Sequence, residues 1–325
     1  MEQAAEAPAT VPPAAKPALK VNRLTYCGKT GALYGVWVKQ LLLTIITLGI
    51  YRCWGKTNIR RYLFAATELD GDRFEYLGTG KELFMGILKI IPGYLVVVGI
   101  YAYLNSEHPG LGSVVFIPFI YLIPVFMYSG YRYRVNRTQW RGIRSRMGGS
   151  AFAYGGKYLG GMFIQLFTLG LMAPSVDLKR WEYQASHMQF GTVPFRFKGD
   201  PAKLRAVNIT TLLLAIPTLF MSRLWYKAAL EREKMRGLAL AHVRFRLTAK
   251  AGDYIWLALG NFGLILITLG FGAPLVMNRN MHFLEKHMAL GGDLAAFNAE
   301  QVALGGAGDA EGLADVFDVD LGIAG

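Results

Sequence analysis

The sequence predicts a mainly α, integral membrane protein: polytopic helices with three repeated helix-break-helix units and short cytoplasmic β-strands. Three observations predict it. Long apolar runs are almost free of charge, a Thr-Leu-Gly tripeptide closes three of them, and the charges gather in between. Hydrophobic residues fill 53% of the 325 positions and charged ones 18%, a balance more apolar than soluble domains use.

The apolar runs cover 31–51, 83–104, 111–131, 151–176, 207–222 and 254–277. A hydrocarbon core of about 30 Å takes about 20 helical residues at 1.5 Å each, so four or five of the runs are long enough to cross. The ionisable side chains inside them are Lys39, Lys89 and Lys157, with no Asp or Glu. Long basic side chains lift their charge to the headgroups, and the missing carboxylates argue against a proton- or cation-coupled carrier.

The net charge of +13 hides a polarity, because beyond Lys286 the chain holds Asp293, Glu300, Asp309, Glu311, Asp315, Asp318 and Asp320 and no Lys or Arg. In a membrane protein the remaining positive charge marks cytoplasmic loops. Nucleic acid is not expected as a partner, since no recognition module accompanies the basic residues. Cys27 and Cys53, without CxxC spacing, indicate a reducing side and no structural disulfide. Residues 1–20 lack the apolar core of a secretory signal and read as a disordered Ala/Pro leader.

Self-comparison exposes the repeat. Thr47-Leu48-Gly49, Thr168-Leu169-Gly170 and Thr268-Leu269-Gly270 each end an apolar run and open a polar helical stretch. Four residues past each Gly stand Cys53, Pro174 and Pro274, and thirteen past stand Tyr62, Tyr183 and Phe283; His187-Met188 and His287-Met288 also correspond. Glycine supplies a left-handed stop and a following Pro suits the first turn of a new helix, so each unit should be helix, break, helix. The second helix, basic and aromatic, is expected to lie at the headgroups. Alternating stretches at 73–76, 144–147, 195–198 and 244–247 indicate strands of a small cytoplasmic sheet.

The resulting organisation is a leader (1–20), membrane repeat 1 (21–82), a transmembrane hairpin (83–133), membrane repeat 2 (134–203), an apolar segment (204–226), membrane repeat 3 (227–291) and an acidic flexible tail (292–325). The loop 105–112 lacks basic residues and is expected on the far side of the hairpin.

The run from Leu42 to Gly80 (LLTIITLGIYRCWGKTNIRRYLFAATELDGDRFEYLGTG) resembles the YjgN-like family of bacterial inner-membrane proteins, whose domain has no established function. The resemblance rests on Thr47 to Tyr51, Trp54, Arg61-Tyr62 and the strand Phe74 to Gly78, with Trp140 to Arg144 as a further similar stretch. It is strong over 24–85, moderate through 130–190 and diffuse over 240–295. Cys53 stands where the family often has Pro. The resemblance implies a multi-pass protein of the bacterial inner membrane with its basic loops cytoplasmic, and carries over no catalytic residue.

Candidate contacts remain. Arg132, Arg134, Arg137, Arg141, Arg144 and Arg146, interleaved with aromatics, suit anionic lipid headgroups. Gln40, Gln165 and Asn261, near the breaks, suit a polar pathway. Gly156 and Gly160 are spaced for close helix approach and hint at a homo-oligomer. Neither a nucleophile motif, a phosphate loop nor convergent metal ligands occur, so no cofactor or metal is assigned and the chain is expected not to be an enzyme. The function expected is that of a membrane protein interacting with lipid or serving as a scaffold; the alternative is a small-solute transporter or channel.

Overall fold

The computed structural model describes residues 21–108, 113 and 116–292. They form five units, each a strand, a pair of helices and a strand. The first contains β1 (Val21–Tyr26), α1 (Thr30–Ile46), α2 (Arg52–Ala65) and β2 (Thr67–Leu69); the second β3 (Asp72–Tyr76), α3 (Gly80–Glu107), α4 (Ile117–Asn136) and β4 (Thr138–Trp140). The third contains β5 (Ile143–Met147), α5 (Ala151–Phe167), α6 (Ala173–Ser186) and β6 (Met188–Phe190). The fourth contains β7 (Val193–Phe197), α7 (Ala202–Leu213), α8 (Arg223–Gly237) and β8 (Leu238–Leu240), and the fifth β9 (Val243–Leu247), α9 (Ala251–Ile267), α10 (Ala273–His287) and β10 (Met288–Gly291).

The ten strands close into one antiparallel barrel in sequence order. Two-residue hairpins join successive units at one end. Asp70-Gly71 and Arg141-Gly142 have positive φ at both positions, the turn that matches strand twist. Helical hairpins join the strands of each unit at the other end. At the seam, where a fifth tight turn would stand, β1 pairs with β10 through Val21↔Gly291, Asn22↔Leu290 and Arg23↔Ala289.

Alternation along these strands fills the barrel. Phe74 pairs with Trp140, Phe195 with Leu240 and Phe245 with Leu290, and these side chains belong to one apolar cluster with Leu69, Phe190 and Val243. Arg23, Arg73, Arg146, Arg196, Arg244 and Arg246 take the alternate positions and are exposed. Strands of three to six residues fall short of the nine to eleven, roughly, that cross a bilayer.

The expected fold class is corrected on two counts. The short strands form a closed ten-stranded barrel rather than a cap on polytopic helices, and the unit occurs five times rather than three. Among the described residues one helix, α3, is long and apolar enough to cross a membrane. The fourth copy escapes the tripeptide search because it reads Thr218-Leu219-Phe220; residues 204–226 are most of α7, this break and the first turn of α8. The second helix of each unit returns to the barrel and packs on the first strand of the next. Tyr62 donates to the Lys29 carbonyl at 2.9 Å and Tyr183 to the Ser150 carbonyl at 2.9 Å, each clamping the base of its hairpin.

The breaks share one hydrogen-bond pattern. Thr47, Thr168, Thr218 and Thr268 donate through Oγ1 to the carbonyl four residues back, at 2.5–2.7 Å. The same oxygens accept from the N–H four residues ahead. Leu48, Leu169, Leu219 and Leu269 adopt φ of 48–50°, followed by Gly or, in the fourth copy, Phe220 at 64°. The next amide then closes a six-residue loop, as Gly170 N–H does on Gln165 O at 2.7 Å, the form of a Schellman stop.

Gly170→Ala places a methyl group at a φ of 82° and is expected to cost about 1 kcal/mol, lowering the thermal midpoint in detergent. Phe220→Gly removes the same strain, so its midpoint is expected not to fall. Equal losses in both variants would refute the strain argument.

Candidate functional site

Two features of the helical ring carry chemistry. The first is the row of hairpin tips. Leu48, Leu169, Leu219 and Leu269 are 94, 79, 84 and 87% exposed, and Ile46, Phe167, Ile216 and Ile267 beside them are also exposed. Isolated exposed leucines are ordinary, but a repeated apolar crown is not. Toward the barrel the first helices carry Trp37 and Lys39, Lys157 and Tyr158, and Trp256, residues suited to a headgroup boundary. From Trp37 to Gly49 is about 18 Å of helix and from Trp256 to Gly270 about 21 Å.

The second feature is a cleft of about 360 Å³ beside α5, between α6 and α8, lined by Asp177, Arg180, Trp181, Tyr226, Lys227 and Glu231 among others. Asp177 is its hub. Gln165 Nε2 donates to Oδ1 at 3.1 Å, the Tyr226 hydroxyl to Oδ2 at 2.8 Å, and Arg180 stands 3.5 Å away. The Arg180 guanidinium also lies 4.0 Å over the Tyr158 ring and donates to the Tyr158 carbonyl. Lys234 pairs with Glu231 at 2.8 Å and sits over the Trp181 ring. Lys227, half-buried, makes no hydrogen bond or ion pair among the described residues.

The sequence-predicted residues scatter. Gln165 joins the Asp177 hub. Gln40 is buried against Gly55, and Asn261 donates to Asn280 at 2.8 Å, each inside its own hairpin, so the three do not meet in one path. The six arginines do not share a face either. Arg137 forks onto Glu82 at 3.1 and 3.2 Å, tying α4 to α3; Arg132 donates to Gly149 O; and Arg134 lies over Tyr131. Arg141, at a hairpin turn, grips Asp72 and Asp70 and stacks on Trp140 at 4.4 Å. Arg144 and Arg146 are on β5, where Arg144 bonds Gln139.

The repeat residues are structural. Pro174 and Pro274 occupy the first turn of α6 and α10, Trp54 stacks on Tyr51, and Arg61 donates to Gly78 O at 2.7 Å. Gly156 and Gly160 look onto open space, whereas Gly155 meets Val125 and Gly161 meets Val176, so it is the latter pair that lets helices approach. The acidic tail and the leader lie outside the described residues.

Sequence reasoning missed Asp177, Arg180, Lys227 and Glu231 because it sought charge inside the apolar runs, and these residues follow the breaks. A usable signal was present: Lys227, Glu231 and Lys234 fall at i, i+4 and i+7, one face of α8.

His287, buried at the end of α10, packs its ring at a tilt against Phe283 at 4.8 Å, contacts Thr248 and stands 4.0 Å from Asp253. Burial outweighs the carboxylate and holds its pKa below the usual 6.5. The unfolded chain therefore takes up the proton first, so this group's contribution is full above about pH 6.5 and fades as pH falls toward the depressed folded value. The stability advantage of wild type over His287→Gln is expected to shrink between pH 8 and pH 5.5 in thermal unfolding; an advantage that grows in acid would mean Asp253 prevails.

The family model for bacterial proteins of unknown function (DUF898) matches residues 21–222 and 200–316. Inner membrane protein YjgN of Salmonella typhimurium is 33% identical over 122 residues, 38% of this chain and 30% of that protein. Its namesake in Escherichia coli O157:H7 is 33% identical over 109 residues, 34% of this chain and 27% of that protein. The matches thus span less than a third of these relatives' length. No solved structure gives a significant match. The chain belongs to the DUF898 family of bacterial proteins of unknown function, as the YjgN-like resemblance implied.

Proposed function

We propose that this family member is a lipid-interacting protein of the bacterial inner membrane. Its helical hairpins enter the bilayer from the cytoplasmic side, and its barrel stays outside. The exposed apolar tips support the reading most directly. A leucine held at a left-handed φ costs about 1–2 kcal/mol against a relaxed backbone. Moving its side chain from water into hydrocarbon returns about 1.5–3 kcal/mol. The repeated choice of Leu over Gly at this position is thus favoured if the tips lie in lipid and unfavourable if they lie in water.

The depth follows from the helix lengths. About 18–21 Å from the aromatic boundary to the tip exceeds half of a hydrocarbon core of about 30 Å and stops short of crossing it. Only α3, among the described residues, is both long and apolar enough to go further. Re-entrant backbone is tolerated where the breaks satisfy their own polar groups, which the threonine-centred pattern does. The outward arginines of the barrel then face the cytoplasmic surface, where basic residues attract anionic headgroups at about 1 kcal/mol each.

Nitroxides at Leu48→Cys, Leu169→Cys and Leu269→Cys in liposomes should be accessible to oxygen, shielded from a water-soluble nickel chelate, and about 15–20 Å deep. A label at Arg246→Cys should report water. Tips as open to nickel as position 246 would sink the reading.

The alternative, a small-solute transporter or channel, draws on one observation: the Gln165–Asp177–Tyr226 network on helices that flank the breaks. Planar-bilayer conductance in potassium chloride tests the channel form. It should appear in wild type and change in Asp177→Asn; a silent wild type removes that form.

A further inference from the structure

We infer that the cleft between α6 and α8 holds a singly charged oxyanion against Lys227, carried by a lipid phosphodiester headgroup or by a small free oxyanion. The charge pattern of the cleft leads there. Asp177 is offset by Arg180 at 3.5 Å and Glu231 by Lys234 at 2.8 Å; Lys227 also feels Glu231 but must share it with Lys234, so the cleft holds one cation more than its carboxylates match. Asp177 is further occupied by donors from Gln165 and Tyr226, so it is already engaged by three groups and repels an incoming anion weakly.

The walls suit the same guest. Tyr154, Trp181 and Tyr226 give apolar faces with polar edges, and Leu230 closes one side, an environment for a charged head bearing a short apolar stem. About 360 Å³ is near the lower end of small-molecule sites. Lys227 follows Phe220 by seven residues, which puts it about 10 Å of helix from the tip. The site stands on cleft geometry; a lipid source for the anion also rests on the proposed insertion, because an unmatched ammonium at such depth is costly and a headgroup drawn in beside it offsets that cost.

The test uses the full chain in a maltoside detergent, which supplies no phosphate. Amine-reactive labelling of Lys227, read by peptide mass spectrometry, is compared with and without added phosphatidylglycerol, and with and without inorganic phosphate, the exposed Lys198 just after β7 serving as the control. Occupancy is expected to lower labelling of Lys227 at least threefold and to leave Lys198 unchanged. Protection by phosphatidylglycerol alone assigns a headgroup; protection by phosphate alone assigns a free oxyanion. Native mass spectrometry should show one phosphatidylglycerol fewer on Lys227→Met than on wild type in the headgroup case, restored in Lys227→Arg. Unchanged labelling of wild type in both arms overturns the inference, whether or not the Met variant folds. The phosphate arm uses no bilayer, so its outcome is separate from the depth of the tips.

Discussion

The antiparallel pairing of β1 with β10 is the contact on which the other elements depend, because it joins residues about 270 positions apart and removes both free edges of the sheet. Strands of three to six residues cannot hold a sheet by themselves, and an open sheet of ten would offer two unpaired rows of backbone groups. Closure converts five marginal units into one ring. Asn22, buried at the seam, donates to the Gly292 carbonyl at 3.0 Å, which secures the last bond of the circle.

Each helical hairpin inherits its position from that ring. The second helix of a unit descends onto the first strand of the next, as α2 does on β3, where Cys53, Tyr76, Leu83 and Tyr133 form one apolar cluster. The first helices are left with their apolar faces outward and the second helices carry most of the charge. That division puts Asp177, Arg180, Lys227 and Glu231 together although they come from different units. It also separates the arginines that sequence proximity grouped: Arg137 serves the base of the second hairpin through Glu82, while Arg141 serves a turn of the barrel.

Much of the local structure was legible. Thr-Leu-Gly marked three of the stops because a Schellman cap needs left-handed backbone and a polar side chain to bridge the gap, and those demands are read residue by residue. The alternation of Arg244-Phe245-Arg246-Leu247 marked a strand for the same reason. The fourth copy stayed hidden because Phe220 takes the glycine's conformation at a cost that only the folded chain shows. The barrel stayed hidden because three-residue strands such as Thr67–Leu69 carry too few positions for a period of two to register.

The sequence by itself therefore determined the apolar runs, the breaks, several strands and the family, all of which depend on neighbours within a few residues. The tertiary structure decided the number of units, the closure of the barrel, the return path of the second helices and the membership of the cleft. These depend on which distant backbone groups pair, and hydrogen bonds between strands carry no side-chain signature that a linear reading can count. Lys227 shows the difference: in the chain it is one basic residue among many, and it becomes a candidate site only when the fold gives its neighbouring charges to other partners.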